Sequence, residues 1–86
     1  MPTLLKEVKA TYTKEAKAKK FEATVPVLIL IDAQGFVRTA QVIEDPGMGL
    51  GESARKAVLQ YRFKPAKIGD KNVAIEIRFY VEFKGN

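Results

Sequence analysis

Residues 73–84 read VAIEIRFYVEFK, and no other stretch predicts the fold so clearly. Apolar side chains occupy the odd positions from Val73 to Phe83, and mostly polar side chains occupy the even positions. Successive side chains of a strand point to opposite faces of a sheet. The pattern therefore predicts one long strand, with one face on a hydrophobic core and the other in solvent.

Two further strands are predicted upstream. Residues 23–31 (ATVPVLILI) are rich in β-branched side chains, and residues 36–43 return after a turn at residues 32–35 (DAQG). Irregular spacing of the apolar residues in the second of these strands predicts a bulge near Arg38–Thr39. Pro26 cannot donate a ladder hydrogen bond, so the beginning of the first strand should be edge-like or bulged.

Two helices complete the predicted elements. Thr13 is a suitable N-cap for a short helix over residues 14–20, which ends in lysines as the helix dipole favours. Apolar residues at helical spacing predict a second helix over Glu52–Tyr61. The apolar residues near the N-terminus, Leu4 and Val8 among them, fit one short helical turn.

The order of these elements is helix, strand, strand, helix, strand. A right-handed crossover through the second helix makes the last strand parallel to the second strand, and the first strand fits between them. The predicted fold is α+β: two helices on one face of a three-stranded antiparallel sheet of order 2-1-3, with the C-terminal strand at an edge. Charged side chains along that edge would guard it against aggregation, or the edge is kept free for another strand.

The amino-acid composition excludes several classes of function. The 86 residues fit a single domain over 1–86, and they include no Cys and no His. Thiolate chemistry, His-based catalytic triads and most transition-metal sites are therefore excluded, and Ser53, the only serine, has no base to activate it. We expect no catalytic residues, no metal site, no cofactor and no enzyme activity.

The net charge is +5, and six of the eleven lysines lie in the first twenty residues. Such a basic segment fits nucleic acid, anionic lipid or an acidic partner, or it is simply a solvated helix face. Two weak motifs point to nucleotides or RNA. Residues 47–51 (GMGLG) precede a helix as a phosphate loop would, but Glu52 stands where the dinucleotide fingerprint needs Gly. Residues 78–83 loosely resemble the aromatic strand of an RNA-recognition domain, but Phe79, Val81 and Phe83 share the face expected to meet the helices, so we assign them to the core.

The most specific motif is Tyr61-Arg62-Phe63-Lys64-Pro65-Ala66, which closes the second helix. Upstream lies Asp32-x-x-Gly35-x-Val37, at the turn between the first two strands. Together with the final alternating strand, these motifs resemble the C-terminal domain of the TonB family, and the resemblance covers roughly residues 4–84. The sequence departs from the family at Tyr61, where Trp is usual, and it lacks the prolines that usually flank the aromatic residue at position 12.

The resemblance implies a periplasmic module at the end of a longer protein anchored in the inner membrane. Such proteins link an inner-membrane motor, through a region outside this chain, to outer-membrane transporters. They grip an extended segment of the receptor, which adds as a strand to the last strand of the domain. The implied partner-binding residues are Lys9, Tyr12, Val73, Ala74, Ile75, Glu76, Ile77, Arg78, Phe79, Tyr80 and Val81.

Two alternatives stay open. The same fold could serve as a coupling domain in another trans-envelope machine, for motility or secretion, and a basic nucleic-acid-binding domain is a third reading. We expect no nucleic-acid partner. The free edge also predicts that the isolated domain can dimerise through residues 73–83.

Overall fold

A computed structural model describes residues 3–85. The elements, in chain order, are β1 (Leu4–Lys6), α1 (Lys14–Ala18), β2 (Ala23–Ile31), β3 (Val37–Val42), α2 (Leu50–Val58), β4 (Arg62–Phe63), β5 (Ala66–Ile68), β6 (Lys71–Val73) and β7 (Ile75–Phe83). The predicted α+β class, with two helices and antiparallel strands, is confirmed. Within these residues, no helix is long and apolar enough to cross a membrane.

The central sheet has the order β3-β2-β7, and both of its ladders are antiparallel. The predicted bulge is confirmed, because Leu30 lies opposite Thr39 and Ile31 opposite Val37, which leaves Arg38 as the extra residue. The ladder between β2 and β3 begins only at Val27. The beginning of β2 therefore has a strand partner on one side alone, as its proline predicts.

The sheet prediction is incomplete, because the structure contains two further two-stranded sheets, β1-β4 and β5-β6. The helical turn expected near the N-terminus is wrong. Leu4 belongs to β1 and lies opposite Phe63 of β4. This pairing joins segments almost sixty residues apart, so the local apolar spacing carried no sign of it.

The single strand expected over residues 73–83 is also corrected. Gly69 has a φ of +63° in the turn after β5, and the chain folds back so that Val73 lies opposite Ala66. Val73 therefore ends the β5-β6 hairpin, Ala74 is irregular, and β7 begins at Ile75. The alternation of apolar and polar residues runs through both strands without a break, so it could not show where the pairing partner changes.

Both helices contribute to one core. Ala16 of α1 and Leu50 of α2 are fully buried with the odd-numbered residues of β2 from Val25 to Ile31. The expected burial of the aromatic motif is confirmed: Tyr61 and Phe63 are each 3% exposed. Their rings lie 6.3 Å apart, and the ring of Phe79 in β7 lies 5.3 Å from that of Tyr61. This aromatic cluster ties the chain after α2 to the inner face of β7.

The Thr13 cap is confirmed as well. Its hydroxyl accepts a hydrogen bond from the N–H of Ala16 over 3.2 Å and donates to the carbonyl oxygen of Met48 over 2.7 Å. A helix of five residues is too short to be stable alone. The contact with the loop before α2 therefore fixes the place of α1 on the domain.

Asp32 organises the turn between β2 and β3. Its carboxylate accepts hydrogen bonds from the N–H groups of Gln34 and Phe36, each over 2.9 Å, and from Nε of Arg38 over 2.6 Å. Desolvation alone would raise the pKa of this carboxyl. The donors from Phe36, Gln34 and Arg38 outweigh that effect and hold the pKa below its ordinary value of 3.8.

Acid should therefore weaken this turn. A carboxyl whose pKa is lowered by folding stabilises the fold above its unfolded pKa, and this stabilisation disappears as the pH falls through the folded pKa. We expect Asp32→Asn to lower the free energy of unfolding at neutral pH and to show a smaller further loss on acidification than the unchanged chain. Urea denaturation at about pH 7 and about pH 3 measures both. Asp70→Asn, in the exposed β5-β6 turn, is the control, and an equal effect there would contradict the assignment.

Candidate partner-binding edge

The outer edge of β7 is free within the described residues 3–85. β7 is nine residues long and pairs with β2 along one edge. Among the described residues, no strand pairs with its other edge. An edge of this length presents a row of backbone N–H and C=O groups to any extended chain that approaches. The question is which residues of β7 provide those groups.

The contacts of Pro26 in β2 show which residues of β7 direct their backbone groups to the free edge. The N–H of Ile43 donates to the carbonyl oxygen of Pro26 over 2.9 Å, so the backbone of Pro26 faces the side of β3. Pro26 lies opposite Tyr80 in the β2-β7 ladder, which makes this a non-hydrogen-bonded pair. The backbone groups of Tyr80 therefore point to the free edge. Alternation along the strand gives the same direction to the other even-numbered residues, so the outward set is Glu76, Arg78, Tyr80 and Glu82.

The two faces of β7 differ in character. The side chains of the outward set lie on the open face of the sheet, and that of Tyr80 is 56% exposed. On the helical face, Ile75, Ile77 and Phe79 are only partly buried against the core. A strand added at this edge would place alternate side chains beside the charged row and beside these half-covered apolar residues.

A groove lies beside the second half of β7. Tyr12 and Lys9 line it, and the ring of Tyr12 lies 6.3 Å from that of Phe83 near the end of β7. The hydroxyl of Tyr12 donates to the carbonyl oxygen of Phe21 over 2.5 Å, which fixes the ring. The groove has a mixed lining. Its apolar and aromatic residues are Ala10, Tyr12, Tyr61, Phe79, Tyr80, Val81 and Phe83, its lysines are Lys9, Lys17, Lys20 and Lys84, and its acidic residues are Glu7, Glu22 and Glu82.

Glu7 also lies beside the hydroxyl of Tyr61. Burial raises the pKa of the Tyr61 phenol, and the charge of the Glu7 carboxylate and its hydrogen bond to the phenol raise it further. Both effects favour the protonated phenol over the phenolate.

The structure brings most of the residues singled out in the sequence to one place. Residues 75–81 form the free edge, and Lys9 and Tyr12 lie in the groove beside it. Val73 and Ala74 do not belong to this edge, because the β5-β6 hairpin ends at Val73. The sequence reasoning did not include the groove lysines Lys17 and Lys20, although the dense lysines of the first twenty residues were a signal for them.

Residues 3–85 hold no group of three His, Cys, Asp or Glu side chains placed to bind a metal ion. The fold and the free edge define a small α+β protein-interaction module. Comparison with known proteins then identifies the family.

The family model described as "Gram-negative bacterial TonB protein C-terminal" matches residues 8–84, and the chain belongs to this family. The chain is also similar to the solution NMR structure of the TonB C-terminal domain of Pseudomonas aeruginosa. The TM-score is 0.76 and the identity 30%, over 96% of this chain and 85% of that one. No curated protein sequence matches the chain. TonB C-terminal domains are protein-interaction modules and not a known family of enzymes.

Proposed function

We propose that this domain grips an extended segment of an outer-membrane transporter, which adds as a strand to the free edge of β7. The observation that carries the proposal is the row of outward backbone groups at Glu76, Arg78, Tyr80 and Glu82, which follows from the register of β2 and β7. Added strands gain affinity from main-chain hydrogen bonds and specificity from pockets for alternate side chains. Here the groove beside β7, with its apolar and charged lining, would provide the pockets.

The expected affinity is modest. Four to six main-chain hydrogen bonds, at about 0.5–1.5 kcal/mol each, contribute only a few kcal/mol before the cost of ordering the segment. The groove has to contribute the rest, so we expect a Kd near the micromolar range. Weak binding suits a grip that has to release after each pull.

In this proposal the domain works in the periplasm. It is the terminal module of a longer protein anchored in the inner membrane, and a region outside this chain contacts the motor proteins. Membership of the TonB family supports this placement. A role as a coupling domain in a motility or secretion machine would use the same edge for a different envelope protein.

The test uses backbone chemistry at Arg78. Proline removes the N–H and fixes φ, and at this position the lost N–H points away from β2. Arg78→Pro should therefore leave the domain folded, with some destabilisation, and should weaken binding at least tenfold. The ligand is the periplasmic N-terminal segment of an outer-membrane transporter from the same genome, and binding is followed by NMR titration.

Arg78→Ala is the matched control, because it removes the guanidinium and keeps the N–H. It should bind the same segment within about threefold of the unchanged chain. Tyr80→Pro, a second outward position, repeats the test at the middle of the edge. Folded proline variants that bind as well as the alanine control would overturn strand addition. Binding of a nucleic acid by the domain, with an affinity that falls steeply as the salt concentration rises, would instead indicate phosphate contacts and a nucleic-acid partner.

A further inference from the structure

The β5-β6 hairpin is a separate, exposed element of the domain. Among the described residues, β5 and β6 pair only with each other, and the two-residue turn of Gly69 and Asp70 joins them. No residue from 66 to 73 is buried. A two-stranded hairpin on its own is marginally stable in water. The hairpin therefore adds little to the core, and its side chains are accessible to a partner.

The tip of the hairpin carries an apolar side chain. Ile68 is 73% exposed, the highest value for any large apolar residue that the structure describes. It lies opposite Lys71 in the ladder, and Lys67 precedes it in the chain, so the apolar tip stands between two cations. Because Ile68 covers no part of the core, the fold gains nothing from an apolar side chain at this position.

The lysines around the tip have no acidic partner in the part of the chain that the structure describes. Lys64, Lys67 and Lys71 form no ion pair there, and neither does Asp70, the one acidic residue of the turn. Residues 64–73 hold these three lysines against one aspartate, a net charge of +2. The field of this segment therefore attracts an anionic partner.

The exposed isoleucine distinguishes between the classes of anionic partner. The phosphate backbone of a nucleic acid is contacted by polar and basic groups and gives an apolar tip nothing to contact. An acidic protein would need an apolar pocket that matches the tip. A bilayer interface accepts an apolar side chain at any point, while lysines remain at the level of the anionic headgroups. The combination of one apolar tip and flanking lysines therefore fits a lipid surface best.

We propose that the β5-β6 hairpin docks this domain on a bilayer surface that is rich in anionic phospholipid. Ile68 enters the interface, and Lys67 and Lys71 contact the phosphates on either side of it. The lipid contact rests on the hairpin alone. Its place, at a membrane that borders the periplasm, rests on the proposed function.

Docking through the hairpin would leave the partner-binding groove accessible. The hairpin is joined to the first residue of β7, Ile75, whereas the groove lies beside the second half of that strand, from Phe79 onward. Nine strand residues extend over roughly 26 Å, and the domain is 49 Å long. A domain that is docked by its hairpin can therefore still receive an extended segment at the groove.

Vesicle sedimentation tests the docking. The unchanged chain should bind vesicles of equal parts phosphatidylglycerol and phosphatidylcholine at least tenfold more tightly than vesicles of pure phosphatidylcholine. Ile68→Thr keeps a β-branched strand residue and removes apolar surface, so it should weaken binding about tenfold. The double variant Lys67→Gln with Lys71→Gln should weaken binding about twentyfold, because each lysine near an anionic surface contributes about fivefold.

The double variant Lys14→Gln with Lys19→Gln is the matched control. It removes the same charge from two exposed lysines at α1, and it should bind within about threefold of the unchanged chain. Equal losses from the two double variants would show attraction by net charge alone and would overturn the inference. Binding that Ile68→Thr leaves unchanged, or no binding of the anionic vesicles, would overturn it as well.

A fluorescent reporter gives an independent readout, because the chain has no tryptophan. Ile68→Trp should show a blue-shifted emission when the anionic vesicles are added, since indole side chains favour the membrane interface. Ile43→Trp is the control. Ile43 is 44% exposed and donates its N–H to Pro26, near the beginning of β2 and away from the hairpin. Its emission should not change, and equal shifts at the two positions would contradict docking through the hairpin.

The two proposals fail separately. Vesicle binding is measured without any transporter segment, and the hairpin variants should bind that segment within about twofold of the unchanged chain. Normal segment binding by a chain that does not bind anionic vesicles would overturn this inference alone. Vesicle docking through the hairpin by a chain that does not bind the segment would overturn the proposed function and would keep the lipid contact.

Discussion

Replacing Phe63 by alanine should lower the free energy of unfolding by about 3–5 kcal/mol, the usual loss for a buried aromatic residue. Phe63 is 3% exposed, and its ring lies 6.3 Å from Tyr61 and 6.4 Å from Phe79. The domain is small and its core is thin, so a loss of this size approaches its whole stability. Urea denaturation followed by circular dichroism measures the change, and we expect much of the variant to be unfolded before urea is added.

Phe36→Ala is the matched control for this prediction. Phe36 is 41% exposed, and its main specific contact is with the guanidinium of Arg62, which lies 3.9 Å from the ring centre. An exposed cation–π contact of this kind contributes about 0.5–1 kcal/mol. The loss at Phe36 should therefore be a fraction of the loss at Phe63. Similar losses at the two positions would show that Phe63 is not the centre of the core.

Replacing Gly35 by alanine should cost about 3 kcal/mol or more, through strain at a special backbone conformation and a steric clash. Gly35 has a φ of +92°, and a Cβ atom there would lie 2.0 Å from the carbonyl oxygen of Phe63. That oxygen belongs to the backbone and cannot swing away as a flexible side chain could. The carbonyl of Gly35 also accepts the N–H of Phe63 over 2.9 Å, so relieving the clash would lengthen this bond.

The Gly47→Ala variant separates the free-energy cost of the left-handed backbone conformation from the cost of the steric clash. Gly47 has the same φ of +92°, but a Cβ atom there would meet nothing within 4 Å. This variant carries the conformational penalty alone, about 1–2 kcal/mol. The difference between the two alanine variants, measured by urea denaturation, is the cost of the approach between Gly35 and Phe63. If Gly35→Ala were no more destabilising than Gly47→Ala, that close approach would have no role in stability.

Gly35 and Phe63 belong to the two short motifs that were most informative in the sequence. Twenty-eight residues separate them, and in the fold their backbones are in direct contact. A glycine in the β2-β3 turn is needed because the chain leaving α2 passes against it. The joint occurrence of the two motifs therefore has a physical cause.

Local patterns were enough to predict much of this domain. The period-2 alternation predicted the faces of β7, the β-branched content of residues 23–31 predicted the buried strand β2, the irregular spacing in β3 predicted the bulge near Arg38, and Thr13 predicted the start of α1. The aromatic motif predicted buried residues at Tyr61 and Phe63. Each of these features depends on residues close together in the chain, where side-chain direction, turn chemistry and capping act over a few positions.

Pairing partners were decided by the tertiary structure. The alternation through residues 73–83 shows which side chains face the core, but Val73 pairs with Ala66 in a separate hairpin. The N-terminal strand β1 depends on β4, far along the chain. A strand pattern reports faces and does not report which strand lies alongside, because backbone hydrogen bonds are alike for every residue.

The free outer edge of β7 shows the same division between features that are local in the sequence and features that depend on the tertiary structure. Its charges and its alternation are visible in the sequence, and the free position of the last strand followed from connectivity. The outward direction of the Arg78 N–H required the register of Pro26 against Tyr80, together with the bond from Ile43 to Pro26. The closeness of Tyr12 to Phe83 required the packing of the N-terminal segment beside β7. Both are non-local facts, because they depend on how segments far apart in the chain are fixed against each other.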